Sequence, residues 1–206
     1  MRTLLQIHAS IQGPQGQSSQ LADEFAAQWC AANPGGRVVT RDIGTHPVPH
    51  LTAERFAAFL AKPEARTPEQ RAVAGFSDAL IEELRRADVI VLGLPLYNFG
   101  VPSSLKAYID HIARAGVTFR YGEKGPQGLI TGKKVYVCAT RGGLYANTPL
   151  DTETAYVRDV LRFLGLTDVE FIYAEGLALS EAVKAEALGK ARALIRQSVQ
   201  SLALAA

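Results

Sequence analysis

The chain has 206 residues, of which 22 are basic and 20 acidic, and its formal net charge is +2. This length favours one domain whose core is large enough to fold without disulfides or bound metals. Basic and acidic residues are interspersed, which argues against a nucleic-acid surface and against a basic helix lying on a membrane. No apolar run approaches the roughly 18 residues that a membrane-spanning helix requires.

The cysteine content bears on the compartment. Cys30 and Cys138 lie far apart in the sequence, each among apolar neighbours, so we predict packed core thiols and not a disulfide. Free thiols are typical of the reducing cytosol. The first residues show neither the length nor the cleavage site of a signal peptide. We therefore expect a cytoplasmic protein with a single domain over residues 1–206.

Strand and helix patterns alternate along the chain. Apolar, β-branched runs predict strands, and apolar positions spaced three and four residues apart predict helices. In chain order we predict a strand over 3–9, a helix over 18–32, a strand over 37–43, helices over 52–61 and 68–86, a strand over 88–94, a helix over 103–115, a strand over 134–139, a helix over 151–164, a strand over 169–173 and a helix over 181–202. This alternation predicts an α/β fold, a doubly wound parallel sheet of five strands with helices on both faces.

Sheets of this kind most often have the strand order 2-1-3-4-5, which makes the first, third and fourth strands neighbours. Parallel strands end at the same edge of a sheet, so this order brings three connecting loops to one rim. They are the loops over residues 9–18, 95–102 and 140–148. Because α/β folds bind ligands beyond the carboxyl ends of their strands, we expect a ligand where these loops meet.

The first loop has the chemistry of a phosphate site. It opens a helix, whose first backbone N–H groups are free, and it carries the hydroxyls of Ser10, Ser18 and Ser19. No lysine or arginine lies between Arg2 and Arg37, which argues against a triphosphate held by a lysine and magnesium. The Gly-x-Gly-x-x-Gly pattern of dinucleotide sites is also missing. We predict one phosphate held by neutral donors, and a helix cap at Ser18 is compatible with the same pattern.

The other two loops suit a flat ring. The second holds Tyr97, Asn98 and Phe99, whose two rings and one amide suit a heteroaromatic ligand with hydrogen-bonding edges. For that segment alone, a surface turn with a buried tyrosine and phenylalanine is equally compatible. In the third loop, Gly142 and Gly143 allow a backbone to approach a ligand closely. A phosphate at the first loop and a flat ring at the other two together indicate flavin mononucleotide (FMN).

Four segments resemble one known family, the FMN-dependent NADH-azoreductases and related NADH:quinone oxidoreductases of flavodoxin-like fold. They are residues 95–99, 113–121, 125–134 and 140–143, and the resemblance extends over almost the whole chain. These segments are specific because they recur in order at the expected places. The resemblance implies a flavodoxin-like fold, bound FMN, and a homodimer whose pockets contain residues from both subunits.

The resemblance also assigns the FMN contacts residue by residue. They are Ser10, Gly16, Gln17 and Ser18 in the first loop, Leu96, Tyr97, Asn98 and Phe99 in the second, and Thr140, Arg141, Gly142 and Gly143 in the third. The family usually has a serine where Gly16 stands and another where Thr140 stands. We expect a backbone N–H to remain usable at Gly16, and Thr140 keeps a hydroxyl, so phosphate binding should be altered in detail but retained.

The connection over residues 116–132 is long for a link between a helix and a strand. Residues 117–122 predict a short extended piece that reaches away from the sheet. In the family this loop helps to shape the substrate pocket, so Tyr121 and Phe163 are our candidates for rings beside a bound substrate. Phe163 fits a core position of its helix equally well.

The resemblance implies reduction of quinones and aromatic azo compounds in two-electron steps, with NAD(P)H as donor. Donor and acceptor would occupy the exposed flavin face in turn, a ping-pong cycle in which the flavin carries the chemistry. We predict no catalytic nucleophile, because Ser10 lies outside any hydrolase-type Gly-x-Ser-x-Gly elbow. We also predict no metal site, because the four histidines lack metal-ligand spacing.

Two other functions are known for the same fold. An electron carrier without a small-molecule substrate usually shows a surface of one charge sign for docking, whereas the charge here is nearly balanced. A phosphoacceptor signalling domain needs an acidic residue at the exit of the third strand, where Pro95 and Leu96 stand. The electron carrier is therefore our alternative to the enzyme.

Overall fold

A parallel sheet organises the computed structural model, which describes residues 2–123 and 125–204. The strands are β1 (Thr3–His8), β2 (Arg37–Asp42), β3 (Val89–Pro95), β4 (Phe119–Gly122), β5 (Gly125–Gly128), β6 (Lys134–Thr140) and β7 (Asp168–Ala174). The helices are α1 (Gln17–Ala32), α2 (Ala53–Leu60), α3 (Pro68–Arg86), α4 (Ser103–Ile112), α5 (Thr152–Leu164) and α6 (Glu181–Leu204).

Five strands pair in parallel in the order β2-β1-β3-β6-β7, and β4 and β5 form a separate antiparallel hairpin. Numbered within the sheet alone, this order is 2-1-3-4-5. The predicted flavodoxin-like, doubly wound α/β fold is therefore confirmed. The same order places the carboxyl ends of β1, β3 and β6 side by side, as the convergence of the three loops requires.

Helices cover both faces of the sheet. Leu4 points toward α1 and α6, where Phe25 and Trp29 of α1 are fully buried. Leu5 points to the opposite face, which is covered by α3, α4 and α5. Burial on both faces explains why the central strands are continuous apolar runs and do not alternate with polar residues.

One helix contact positions the start of α1 against the sheet. A side chain at Gly93 in β3 would place its Cβ 2.7 Å from the carbonyl oxygen of Ser18. Only glycine permits this close approach of helix to strand. The first turn of α1 therefore sits directly beside the end of β3.

Several expectations need correction. The helix predicted over 103–115 ends at Ile112, because Ala113 leaves the helical conformation. Cys138 is buried as expected, but Cys30 is exposed, because the neighbouring Trp29 takes the inward-facing position on α1. The extended piece predicted over 117–122 is present as β4, whereas its partner β5 was not predicted.

Among the described residues, no helix combines the length and the apolar character needed to cross a membrane. In the same two stretches, the His, Cys, Asp and Glu side chains form no group of three that could hold a metal ion.

Candidate cofactor-binding site

The three predicted loops meet at the carboxyl edge of the sheet. His8 is paired with Gly93, and Pro95 with Thr140, so the loops that follow β1, β3 and β6 start side by side. The hydroxyls of Ser10 and Tyr97 share a hydrogen bond of 3.2 Å, which joins the first loop to the second. The Leu96 N–H donates to the Thr140 carbonyl at 3.0 Å, which joins the second loop to the third.

The start of α1 provides donors for an anion. The first bond within the helix is donated by Gln20 to the Gly16 carbonyl at 3.0 Å, so the N–H groups of Gln17, Ser18 and Ser19 precede the helical ladder. The hydroxyls of Ser18 and Ser19 are buried and have no hydrogen-bond partner. Gly16 caps the helix, so the cap considered at Ser18 is wrong. These unpaired donors, with no basic side chain among them, fit a single phosphate.

Gly16 has a steric role beside Ser10. A Cβ at Gly16 would lie 2.2 Å from Ser10 Oγ and 2.7 Å from Ser10 Cβ. A side chain at this position would push the Ser10 hydroxyl away from Tyr97. Glycine at position 16 therefore permits the Ser10 orientation that joins the two loops. The N–H of Gly16 donates to the Gly13 carbonyl at 3.1 Å, so the expectation that this N–H remains usable for a phosphate is wrong.

The second loop is a tight turn with an unusual backbone. Tyr97 and Gly100 exchange two backbone hydrogen bonds of 3.0 Å, and φ is +50° at Asn98 and +61° at Phe99. Positive φ at both central residues defines a type I′ turn, which normally carries Asn or Gly and not a bulky ring. Asn98 is exposed and Phe99 is 52% exposed. The alternative of a turn that buries its phenylalanine is therefore wrong. The backbone of Phe99 is strained, and its side chain is exposed at the rim.

The third loop runs along the segment that follows β7. The carbonyl of Gly142 accepts from the Ala178 N–H at 3.0 Å, and that of Gly143 from the Gly176 N–H at 2.8 Å. A Cβ at Gly142 would meet only the Ala178 Cβ, at an ordinary 3.4 Å. Gly142 itself is exposed, so its outer side is free for a ligand. A Cβ at Gly143 would instead lie 2.6 Å from the Tyr145 side chain. The loop therefore leaves the Gly142 backbone open to the close approach of a ligand, whereas Tyr145 lies beside Gly143.

The side chain of Arg141 points away from this surface and is 0% exposed. Its guanidinium donates to Asp151 and to Thr154, each at 2.7 Å, and to Glu175 at 3.2 Å. Burial lowers the pKa of Arg141, but the hydrogen bond and the surrounding carboxylate charges outweigh this and raise it above its ordinary value. Any contact of Arg141 with a cofactor must therefore use the backbone, and the side chain anchors the loop.

Glu175 is a site residue that the sequence reasoning missed. Its Oε1 atom accepts the N–H groups of Tyr145 and Ala146, both at 2.8 Å, besides the Arg141 bond. It follows β7 directly, so an acidic residue after the fifth strand was the available signal. Its role depends on a loop that folds back 30 residues along the chain, which no local pattern shows.

The two candidate substrate rings lie away from the three loops of their own chain. Phe163 is half-buried with its ring 4.2 Å from that of Phe119, and Phe119 also contacts Tyr121. α5 starts at the rim, where Thr152 bonds to Phe99, and Phe163 lies about 16 Å further along its axis. Tyr121 is 74% exposed on the hairpin. One chain brings the twelve residues predicted to contact the cofactor to one rim, Arg141 only through its backbone, but it does not bring these two rings there.

Comparisons with known proteins agree with this geometry. Residues 2–199 match the family described as flavodoxin-like fold. The chain is 54% identical over 97% of its length to an FMN-dependent NADH:quinone oxidoreductase of Cellvibrio japonicus, 99% of which is covered. It is 52% identical over 95% of its length to FMN-dependent NADH:quinone oxidoreductase 6 of Burkholderia lata, 98% of which is covered.

A solved structure gives the same answer. An FMN-dependent NADH-azoreductase from Bacillus anthracis, in complex with FMN, superposes with a TM-score of 0.88 at 25% identity and covers 98% of this chain and 100% of its own. The strand order, the three converging loops and these similarities have one explanation. The chain belongs to the flavodoxin-like fold family and, within it, to the FMN-dependent NADH:quinone oxidoreductases and NADH-azoreductases.

Proposed function

We propose that this chain is an FMN-dependent NADH:quinone oxidoreductase that also cleaves aromatic azo compounds to amines. The observation that carries the proposal is that three loops meet at one sheet edge: the first has free donors for an anion, the second exposes Asn98 and Phe99, and the third exposes the Gly142 backbone. Relatives about half identical over nearly the full length bear the same name. That similarity favours the enzyme over the electron carrier considered from the sequence.

The residues present fit FMN. The first loop would hold the phosphate, since Ser10 and Ser18 supply hydroxyls and Gln17 and Ser18 supply free N–H groups, without a competing positive charge. Gly16 would contribute through the close backbone approach that it permits, because its own N–H donates to the Gly13 carbonyl. The flavin ring would lie against the loops over 96–99 and 140–143. Bound FMN supplies the two-electron hydride chemistry, accepting from NADH and passing to the acceptor.

In this scheme, the chain's own residues bind the cofactor and orient its ring toward the substrates. The turn at Asn98 and Phe99 and the backbone at Gly142 and Gly143 would fix the ring plane, so that one face stays open to each substrate in turn. Tyr145 lies edge-on to Phe99, with ring centroids 5.5 Å apart, and would border the flavin ring on that side. We assign no side chain as nucleophile or general base.

We further propose that residues 1–206 form one domain that acts as a homodimer. Tyr121 and Phe163 lie far from their own rim, so they can border a substrate only at the rim of a second copy. A two-fold dimer is the commonest closed arrangement, and a stable interface buries at least about 1,200 Å². The exposed free thiol of Cys30 favours a reducing, cytoplasmic compartment.

The test starts from the purified full-length protein. We expect a flavin absorption spectrum, release of a cofactor with the mass of FMN, and NADH oxidation with a small benzoquinone and with an azo dye, without any partner protein. Reloading should favour FMN over FAD, because the first loop suits one phosphate. Absence of bound flavin, or NADH oxidation only after a protein partner is added, would overturn the proposal.

A further inference from the structure

Behind the third loop, α5 buries a carboxyl group that the proposed function does not use. Glu153 is 1% exposed, and neither of its carboxyl oxygens has a hydrogen-bond partner. Buried carboxyl groups normally have partners, since an unpaired one is unfavourable. This exception lies directly beneath the loop that is expected to face the flavin ring.

The group that Glu153 faces is Arg141. Oε2 of Glu153 lies 3.7 Å from Nε of Arg141, too far for a hydrogen bond, and that Nε is itself buried without a partner. Both side chains are 0% exposed. Arg141 Nε and both carboxyl oxygens of Glu153 thus lack partners, and the nearest two of these atoms lie about one ångström beyond hydrogen-bond distance, in a region without access to water.

The charges around the pair are unbalanced. Asp151, which caps the same helix, and Glu175, after β7, already bind the guanidinium of Arg141. The Tyr173 ring of β7 packs against it at 5.0 Å. On α4, Lys106 pairs with Asp110, and both lie near Tyr156, which follows Glu153 by about one turn of α5. Protonated Glu153 leaves one excess negative charge around Arg141, and ionised Glu153 leaves two.

We propose that Glu153 is a positioning residue whose protonation state sets how Arg141 holds the flavin-facing loop. When Glu153 is neutral, the Arg141 guanidinium binds Asp151 and Glu175, and the loop has the conformation described above. When Glu153 ionises, its charge attracts Nε of Arg141 and weakens the hydrogen bond from Arg141 to Glu175. Glu175 in turn binds the Tyr145 and Ala146 N–H groups of the loop. This inference rests on the proposed FMN site.

The expected consequence is weaker cofactor binding in mildly alkaline solution. Burial raises the pKa of Glu153 to about 8, with Asp151 adding to the effect and Arg141 opposing it. Between pH 7 and pH 9.5 the second negative charge forms, and the loop loses its rigid attachment. We expect the FMN dissociation constant to rise by about three- to tenfold over this range.

The experiment dilutes FMN-loaded full-length protein and measures released flavin by its fluorescence from pH 7 to pH 9.5. The FMN dissociation constant of the wild-type protein should rise with pH, whereas that of Glu153→Gln should lack this rise, because the amide cannot ionise. Ionisation of FMN itself affects both proteins equally, so it cancels when the two dissociation constants are divided at each pH. Asp159→Asn, at an exposed carboxylate of the same helix, is the matched control and should keep the wild-type profile.

Glu153→Leu serves if the glutamine variant does not fold, because an apolar side chain loses no hydrogen bond at this position. It should also give a flat profile. Parallel profiles in wild-type and variant proteins would overturn the inference while leaving FMN binding intact. Failure of the wild-type protein to hold FMN at any pH would instead overturn the proposed function, so the two failures are distinguishable.

Discussion

The hydroxyl of Thr152 donates a hydrogen bond to the carbonyl oxygen of Phe99, and so the first turn of α5 holds the strained turn after β3. The residues on either side of Thr152 hold the third loop, since Asp151, which caps α5, and Thr154 bind Arg141. One helix start therefore fixes both surfaces between which a flavin ring would lie.

The Thr152 contact leads to a first prediction. Thr152→Val removes the donor and leaves the Phe99 turn freer, and we expect the FMN dissociation constant to rise about fivefold, as loss of roughly 1 kcal/mol would give. Thr152→Ser retains the hydroxyl and should bind as the wild type does. Dilution of the loaded protein measures both. Equal affinities for valine and serine would show that the contact does not position the turn.

A second prediction concerns the ring-side backbone. Gly142→Val places two methyl groups where the ring is expected, so FMN affinity should fall more than about tenfold. The fold should persist, because a Cβ at this position meets only Ala178, at 3.4 Å. Circular dichroism checks the fold and flavin content checks the site. Gly189→Val, in open space on α6, is the control. Full flavin occupancy in a folded Gly142→Val protein would mean that the ring lies elsewhere.

The contact between Gly16 and Ser10 can be tested by a double-mutant cycle. Gly16→Ala should weaken FMN binding severalfold, because its Cβ displaces the Ser10 hydroxyl from Tyr97. In a Ser10→Gly background the same alanine has nothing to displace, so its effect should shrink. Strict additivity of the two changes would contradict the steric explanation.

The shared pocket is testable by complementation. Tyr121→Ala should raise the Michaelis constant for quinone with little change in FMN content. The Tyr121→Ala protein is then mixed with an equal amount of the Gly142→Val protein under conditions of subunit exchange. Half of the dimers should then contain one subunit of each variant, and each such dimer carries one intact pocket. We therefore expect activity with a low Michaelis constant at about a quarter of all sites. Light scattering should report a dimer before mixing. No recovery in proven heterodimers would place Tyr121 outside the pocket.

Stability should depend on pH through Glu153. Its pKa is 4.5 ordinarily and about 8 in the folded protein, because burial disfavours the charged form. Between these values the unfolded chain has lost the proton and the folded chain retains it, so the unfolding free energy falls as pH rises. The unfolding free energy of Glu153→Gln should exceed that of the wild type by about 1 kcal/mol at pH 5 and by about 4 kcal/mol at pH 8. The urea midpoints of wild type and variant at pH 5 and pH 8 measure this stability difference. A difference that is the same at both pH values would contradict the raised pKa of Glu153.

Local patterns in the sequence determined most strands and helices and the three loops, because apolar runs and helical spacing follow from burial on both sheet faces. The strand order was predicted from the commonest arrangement of such sheets and not from any local pattern. Local patterns also indicated Ser10, Asn98 and Gly142 as candidate contacts, because their residue types suit a phosphate and a flat ring. The positive φ of Phe99 was not predictable, since a bulky ring rarely adopts it and its carbonyl bond to Thr152 spans 53 residues.

Only the tertiary structure decided the direction of the Arg141 side chain. The sequence placed this residue in a loop expected to face the cofactor, yet its guanidinium turns inward to carboxylates from α5 and from the segment after β7. Likewise, the distance of Tyr121 and Phe163 from the rim follows from the length and direction of α5. Charge pairing and helix direction join residues far apart in the chain, and the free energy that selects such contacts exists only once the sheet has brought its loops together.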